Sequence, residues 1–217
     1  HSLIHDDLPA IDNDDYRRGR LTTHKVYGEA MGVLSGVSLL NYAYETMLKT
    51  FEMTSDADRV IRALKIMSEK TGIHGMLGGQ SVDVENDGKE ISREMLDYIY
   101  EHKTSALIEA SMMAGAILGG ADEEQTALIE KAASAIGMAF QIQDDILDVT
   151  SSSQELGKPV HSDEKNHKVT YVTLFGVEKA SEQVLQFSEQ AQSILENLSN
   201  KNKFLTALIM EMASRRK

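Results

Sequence analysis

The chain has 217 residues, a formal net charge of −12 and no cysteine, with 41% hydrophobic residues. Its length fits one domain with a full core, and its acidic balance argues against nucleic acid or an anionic membrane surface as the main partner. The absence of cysteine excludes disulfides and fits a cytoplasmic compartment, while no apolar run approaches the roughly 18 residues that a membrane-inserted span requires.

The chain begins His1-Ser2-Leu3-Ile4, which reads as the middle of an element, so the expectation is a fragment whose first part is missing. In the next stretch, HDDLPAIDNDDYRRG, five aspartates precede two adjacent arginines. From Asp6 to Asp12 a helix would turn about 600°, so the two cannot share one helical face. Pro9 disfavours helix at Leu8 and removes a donor. The helix therefore ends near Asp7, the chain turns through Ala10-Ile11, and Asp12 folds back beside Asp6.

Helical periodicity governs the rest of the chain. Met31 to Phe51 is apolar nearly all round and predicts a buried helix, with one stripe packed inside the subunit and the rest covered by another partner. Ala57 to Gly72 is amphipathic and follows Ser55-Asp56, which suit an N-cap. A further segment runs from about Gly72 to Val84. Ser92 can cap a helix reaching Leu118, stopped at Gly119-Gly120. Asp122 with Gln125 forms a capping-box pattern for a helix to about Val149. Another helix covers Tyr171 to Gly176. Val184, Phe187, Ala191, Ile194 and Leu198 recur at three or four residues, and Phe204 to Arg215 is a last amphipathic piece. No strand alternation persists, so the fold class is all-α, in a single domain. Residues 150–168, TSSSQELGKPVHSDEKNHK, form the one long polar stretch, and its composition predicts a mobile loop.

QDDILD at 143–148 echoes HDDLPAID at 5–12. On a helix, Asp144 and Asp148 lie on one face, and Gln141 joins them. Carboxylates this dense repel by roughly 4 kcal/mol per pair at 4 Å and an effective dielectric near 20, so a cation is expected among them. Hard oxygen ligands without cysteine suit Mg²⁺, which takes one or two carboxylates, waters and phosphate oxygens. Two such carboxylate faces opposed across a helical bundle could hold a diphosphate through Mg²⁺, and Arg17 and Arg18 could clamp it. An EF-hand fails, because Tyr16 and Thr23 stand where ligands belong. A ferritin-like di-iron site needs two Glu-x-x-His pairs, and the chain offers one, Glu164 to His167. A lone acidic run is usually a solvated surface, but two such clusters, one followed by Arg-Arg, are much harder to explain that way.

On these residues the sequence resembles the trans-polyprenyl diphosphate synthases of the short-chain branch, the farnesyl and geranylgeranyl diphosphate synthases. The first cluster with Arg17-Arg18-Gly19 resembles the family's first aspartate-rich motif in its bacterial and plant form. Gln143 to Asp148 resembles the second. Gly78-Gly79-Gln80, His102-Lys103-Thr104 and Leu156-Gly157-Lys158 also match, with a looser match at Asn166-His167-Lys168. The resemblance implies an isoprenoid synthase-type bundle around a central cavity, three Mg²⁺ and a homodimer. Its substrates are isopentenyl diphosphate and an allylic diphosphate. It implies Asp6, Asp12 and Asp144 as direct ligands, and Asp7, Asp145 and Asp148 as ligands directly or through water. Arg17, Lys103, Lys158 and Lys168 would hold the allylic diphosphate, and Arg18 the isopentenyl diphosphate. Lys103, Thr104 and Gln141 would face the reacting carbon, and the 150–168 loop would exclude water. The expected reaction is head-to-tail condensation to a C15 or C20 product. The alternatives are a non-catalytic partner subunit, which would be expected to lose an aspartate motif, and a terpene cyclase of the same fold.

Overall fold

The computed structural model describes residues 1–151, 168–198 and 202–213. They form two compact units, His1–Ala57 and, from Asp58 onward, Asp58–Thr150 with the described residues after 167.

In the first unit, α1 (Ser2–Asp6) is capped at its C-terminal end by Asp7. A two-residue antiparallel ladder follows, β1 (Tyr16–Arg17) with β2 (Arg20–Leu21), pairing Arg17 with Arg20. Arg18 and Gly19 between them both take positive φ, 54° and 74°. That is the signature of a two-residue primed turn, whose twist matches that of its strands. Strands of two residues carry no alternation, so the sequence pattern did not show them. Next come α2 (Thr23–Tyr27) and α3 (Glu29–Leu48), the latter running into a 3₁₀ turn at Lys49–Glu52.

Helix α3 is not buried within its own unit, where the expectation was a buried helix with one stripe inside the subunit and the rest on a partner. Only Gly32 and Gly36 are buried on it. Leu8 packs over Gly32, and His5 lies over Gly36 with its Nε2 donating to the carbonyl of Val33 at 3.2 Å. Elsewhere the helix is open: Leu34, Val37 and Tyr42 are all more than half exposed. A helix apolar on every face needs more covering surface than its own unit supplies.

The second unit holds the core. Its elements are α4 (Ala57–Thr71), α5 (Met76–Glu85), α6 (Arg93–Ile99), a π-helical turn at Tyr100–Ser105, α7 (Ala106–Leu118), α8 (Glu123–Thr150), α9 (Tyr171–Phe175), α10 (Val177–Glu196) and α11 (Lys203–Ala213). Their ends follow local chemistry. Ser92 accepts from the Met95 amide. Asp122 and Gln125 bond reciprocally, at 2.8 and 3.2 Å, and Thr170 and Thr173 do the same for α9. The segment expected from Gly72 becomes helical only at Met76, because Gly72 to Gly75 closes a turn first.

Helix α8 is the axis of this unit, packed by α10, α7 and the π turn. Its alanines 132, 133, 135 and 139 are almost fully buried and let neighbouring helices approach closely. Around them gather Leu96, Ile99, Ile142, Ile146, Tyr171 and Val184 on one side, and Ile136, Leu195 and Ile209 on the other. Among the described residues no helix is long and apolar enough to cross a membrane.

Candidate functional site

In the first unit the chain turns back as its composition demands. The Asp12 amide donates to the Asp6 carbonyl at 2.9 Å, and the Ile11 and Asn13 amides both donate to Leu8. Asp12 therefore returns beside Asp6 across a turn that includes Pro9. Asp7 is buried, and its Oδ1 accepts from Arg17 Nε at 2.6 Å and Nη2 at 2.5 Å. Arg17 also reaches Asp14 at 3.6 Å. Burial works against the guanidinium's charge, but Asp7, Asp14 and Asp6 outweigh it and hold the Arg17 pKa above its usual value. A guanidinium has five N–H donors in a fixed fork, so a pair with Asp7 leaves capacity for a phosphate. Arg18 is exposed at the tip of the turn.

In the second unit the helix that Ser92 starts does not run unbroken to Leu118. The π turn interrupts it at YEHKTS, where a single wider turn re-aims side chains. Two glycines grip that turn. A Cβ on Gly79 of α5 would stand 2.3 Å from the Lys103 backbone nitrogen, and one on Gly137 of α8 would stand 2.5 Å from Ser105 Cα. Three side chains of the turn then find three different partners. Lys103 Nζ donates to Asp83 Oδ2 at 2.6 Å, Thr104 Oγ1 donates to Gln141 Oε1 at 2.9 Å, and Tyr100 OH donates to Asp145 Oδ2 at 2.6 Å.

A cavity beside the turn is lined by Asp83, Lys103, Thr104, Gln141, Asp145 and Lys168, among others. Asp144 and Asp148 lie four residues apart on α8, the first half-buried and the second buried. Asp145 is also buried, and its Oδ2 accepts a second hydrogen bond, from the Tyr171 amide at 3.0 Å. Among the described residues no three His, Asp or Glu side chains converge closely enough to form a metal cage by themselves.

Within the second unit the structure thus gathers Lys103, Thr104, Gln141, Asp145 and Lys168 on one cavity. Within the first it brings the backbones of Asp6 and Asp12 together and ties Asp7 to Arg17. Lys158 and most of the 150–168 loop, including Glu164 and His167, lie outside the described residues. Sequence reasoning missed Asp83, Tyr100 and Tyr171. Asp83 stands three residues after Gln80 and so was findable on the same helix. Tyr100 was not, because its alignment depends on the π turn.

A family model described as "Polyprenyl synthetase" matches residues 1–211. The farnesyl diphosphate synthase of Geobacillus stearothermophilus is 43% identical over 197 residues, covering 91% of this chain and 66% of that protein. The heterodimeric geranylgeranyl pyrophosphate synthase large subunit 2 of Arabidopsis thaliana is 42% identical over 220 residues, covering 100% of this chain and 58% of the relative. The chain therefore spans less than two thirds of the length of either curated relative. Among solved structures, a geranyltransferase from Helicobacter pylori complexed with magnesium and isoprenyl diphosphate superposes with a TM-score of 0.85 at 33% identity, over 98% of this chain and 69% of that one. With this match along nearly its whole length, the chain belongs to the polyprenyl synthetase family.

Proposed function

We propose that this chain is the catalytic part of a short-chain prenyltransferase, one isoprenoid synthase-type domain that joins an allylic diphosphate to isopentenyl diphosphate. The observation that carries this reading is the cavity wall formed by Lys103, Thr104, Gln141 and Lys168, in a chain that also has two aspartate clusters. Named relatives support the substrate class, being farnesyl and geranylgeranyl diphosphate synthases.

The donor set fits magnesium. Every candidate ligand is a carboxylate oxygen, and each cluster offers the one or two carboxylates that Mg²⁺ takes from protein, with waters and phosphate completing its shell. Asp6, Asp12 and Asp144 would hold the ions, three in the family's pattern, with Asp148 as a further ligand directly or through water. Bound there, magnesium supplies the positive charge that draws electrons onto the leaving diphosphate.

The chain's own residues account for the rest. Arg17, Lys103, Lys158 and Lys168 bind the allylic diphosphate, and Arg18 the isopentenyl diphosphate. The allylic C–O bond breaks with its electron pair going to diphosphate. The double bond of isopentenyl diphosphate then attacks the allylic cation, forming the new C–C bond, and the proton lost from the adjacent carbon goes to the released diphosphate. The oxygens of Thr104 and Gln141 are dipoles that favour the cation without attacking it. A His–carboxylate acid–base pair is not required. The lack of cysteine supports residence in the reducing cytoplasm.

Incubation with labelled isopentenyl diphosphate and each allylic primer, followed by product sizing, tests the reading. A C15 or C20 prenyl diphosphate is expected. Asp144→Ala is expected to lower turnover by about 10²-fold or more, with its circular dichroism unchanged. Full activity in that variant would remove Asp144 from the site. A second copy of the chain is the cover we propose for the exposed faces of α3. The Arabidopsis relative is named as a heterodimeric subunit, so an unlike subunit is the competing cover. A dimer formed by this polypeptide alone supports the second copy, and a monomer supports the unlike subunit.

A further inference from the structure

Asp145 sits in the second aspartate cluster yet is engaged differently from a metal ligand. It is 3% exposed, and one of its oxygens accepts both the Tyr100 hydroxyl and the Tyr171 amide. An Mg²⁺ ligand needs an oxygen lone pair aimed at an ion about 2.1 Å away, among waters. Asp145 is instead buried against two aromatic residues whose rings lie 5.7 Å apart. Tyr171 is fully buried and held from two further sides. Its hydroxyl donates to Asp97 of α6, and its ring lies 5.5 Å from that of Phe175.

Tyr171 is also the first residue of α9, three after Lys168, with Thr170 as its cap. Lys168, Val169 and Thr170 all line the cavity. The backbone that presents Lys168 is therefore anchored through Tyr171 to Asp145, next to Asp144 on α8. Tyr100 stands on the same π turn that presents Lys103 and Thr104.

We infer that Tyr100 and Asp145 are positioning residues: together they tie the cavity rim at Thr170–Tyr171, and so Lys168, to the helix that carries Asp144. The inference rests on the prenyltransferase reading for its effect on substrate, but the tether itself can be read without turnover. It makes two adjacent aspartates unequal, with Asp144 facing the ion and Asp145 facing the scaffold. It also couples the π turn and the rim through a single carboxylate oxygen, so loosening one loosens the other.

The test uses Tyr100→Phe, which removes one hydroxyl while keeping the ring in the core, and Asp145→Asn, which keeps the shape but removes the charge. Hydrogen exchange at the Tyr171 amide, without ligand, reads the tether directly and should quicken by roughly tenfold in either variant. Calorimetry with Mg²⁺ and inorganic pyrophosphate reads its consequence. Pyrophosphate affinity should fall several-fold, and adding Lys168→Ala should lower it little further, because both changes act through one group. The Mg²⁺ concentration for half-saturation should stay at the wild-type value. In the active enzyme KM for the allylic substrate should rise more than kcat falls, a split that general destabilisation would not produce.

Unchanged exchange at Tyr171 in both variants overturns the tether. A raised Mg²⁺ requirement in Asp145→Asn, with losses that add fully to those of Lys168→Ala, makes Asp145 a ligand instead. If the wild type forms no prenyl product, the proposed function falls, while the exchange measurement still decides the tether.

Discussion

Gly79 and Gly137 decide where the side chains of the π turn can sit. At both positions the obstacle to a Cβ is backbone: the Lys103 nitrogen at 2.3 Å from Gly79, and Ser105 Cα at 2.5 Å from Gly137. Alanine is the better helix former by up to about 1 kcal/mol, but here a helix must move to admit it. Gly79→Ala is therefore expected to destabilise by about 1–3 kcal/mol, the usual cost of overpacking, and to displace Lys103 from Asp83. Gly115 on α7 is the control, since nothing lies within 4 Å of the point where its methyl group would stand. Gly115→Ala should stabilise by about 0.5–1 kcal/mol. Urea unfolding of the two variants checks both signs, and a stable Gly79→Ala would show that the helices pack less tightly than these distances require.

Three helices of the second unit meet at one lysine. Lys70 of α4 donates to Glu109 of α7 at 2.5 Å and to Glu130 of α8 at 2.6 Å. Burial alone lowers the Lys70 pKa, but the two hydrogen-bonded carboxylates outweigh it and hold it above the ordinary 10.5. Stability from this group is thus fully present below pH 10.5 and is lost as pH rises through the higher folded value. Lys70→Met strands the buried Glu109 carboxylate without this cation, and the cost is expected near 3 kcal/mol, the low end for a broken buried pair because Lys70 is partly exposed. Denaturation curves should show the wild type losing its advantage over Lys70→Met as the pH rises beyond 10.5. A constant difference across that range would assign the stabilisation to packing of the lysine stem.

At the scale of the whole molecule, the feature left to balance is the run of exposed apolar side chains on α3. Leu34 is 58% and Val37 54% exposed, and an apolar stripe of this kind marks a contact surface. Placing two charges on it by Leu34→Glu with Val37→Glu should convert a dimer to a monomer at micromolar concentration, with helix content retained. Sedimentation velocity reads the outcome. A monomeric wild type would refute the proposed homodimer and return the stripe to another partner.

Local chemistry made most of the elements legible. The caps at Ser92 and at Asp122 with Gln125, and the spacing of Val184, Phe187 and Ala191, are properties of a few neighbouring residues, so local pattern reads them. The return of Asp12 to Asp6 was legible for the same reason, because Pro9 leaves the chain few choices. The family motifs pointed to Lys103, Thr104 and Gln141, since residue type and order survive in the one-dimensional string. Tertiary structure alone decided which carboxylate meets which donor. Tyr100, where the π turn begins, meets Asp145, 45 positions away. No local pattern contains such a pairing. It depends on the close approach of α5 and α8 to the π turn, which Gly79 and Gly137 permit. That α3 carries more apolar surface than one subunit can cover was legible, but which of its faces stays open was decided only by the tertiary structure.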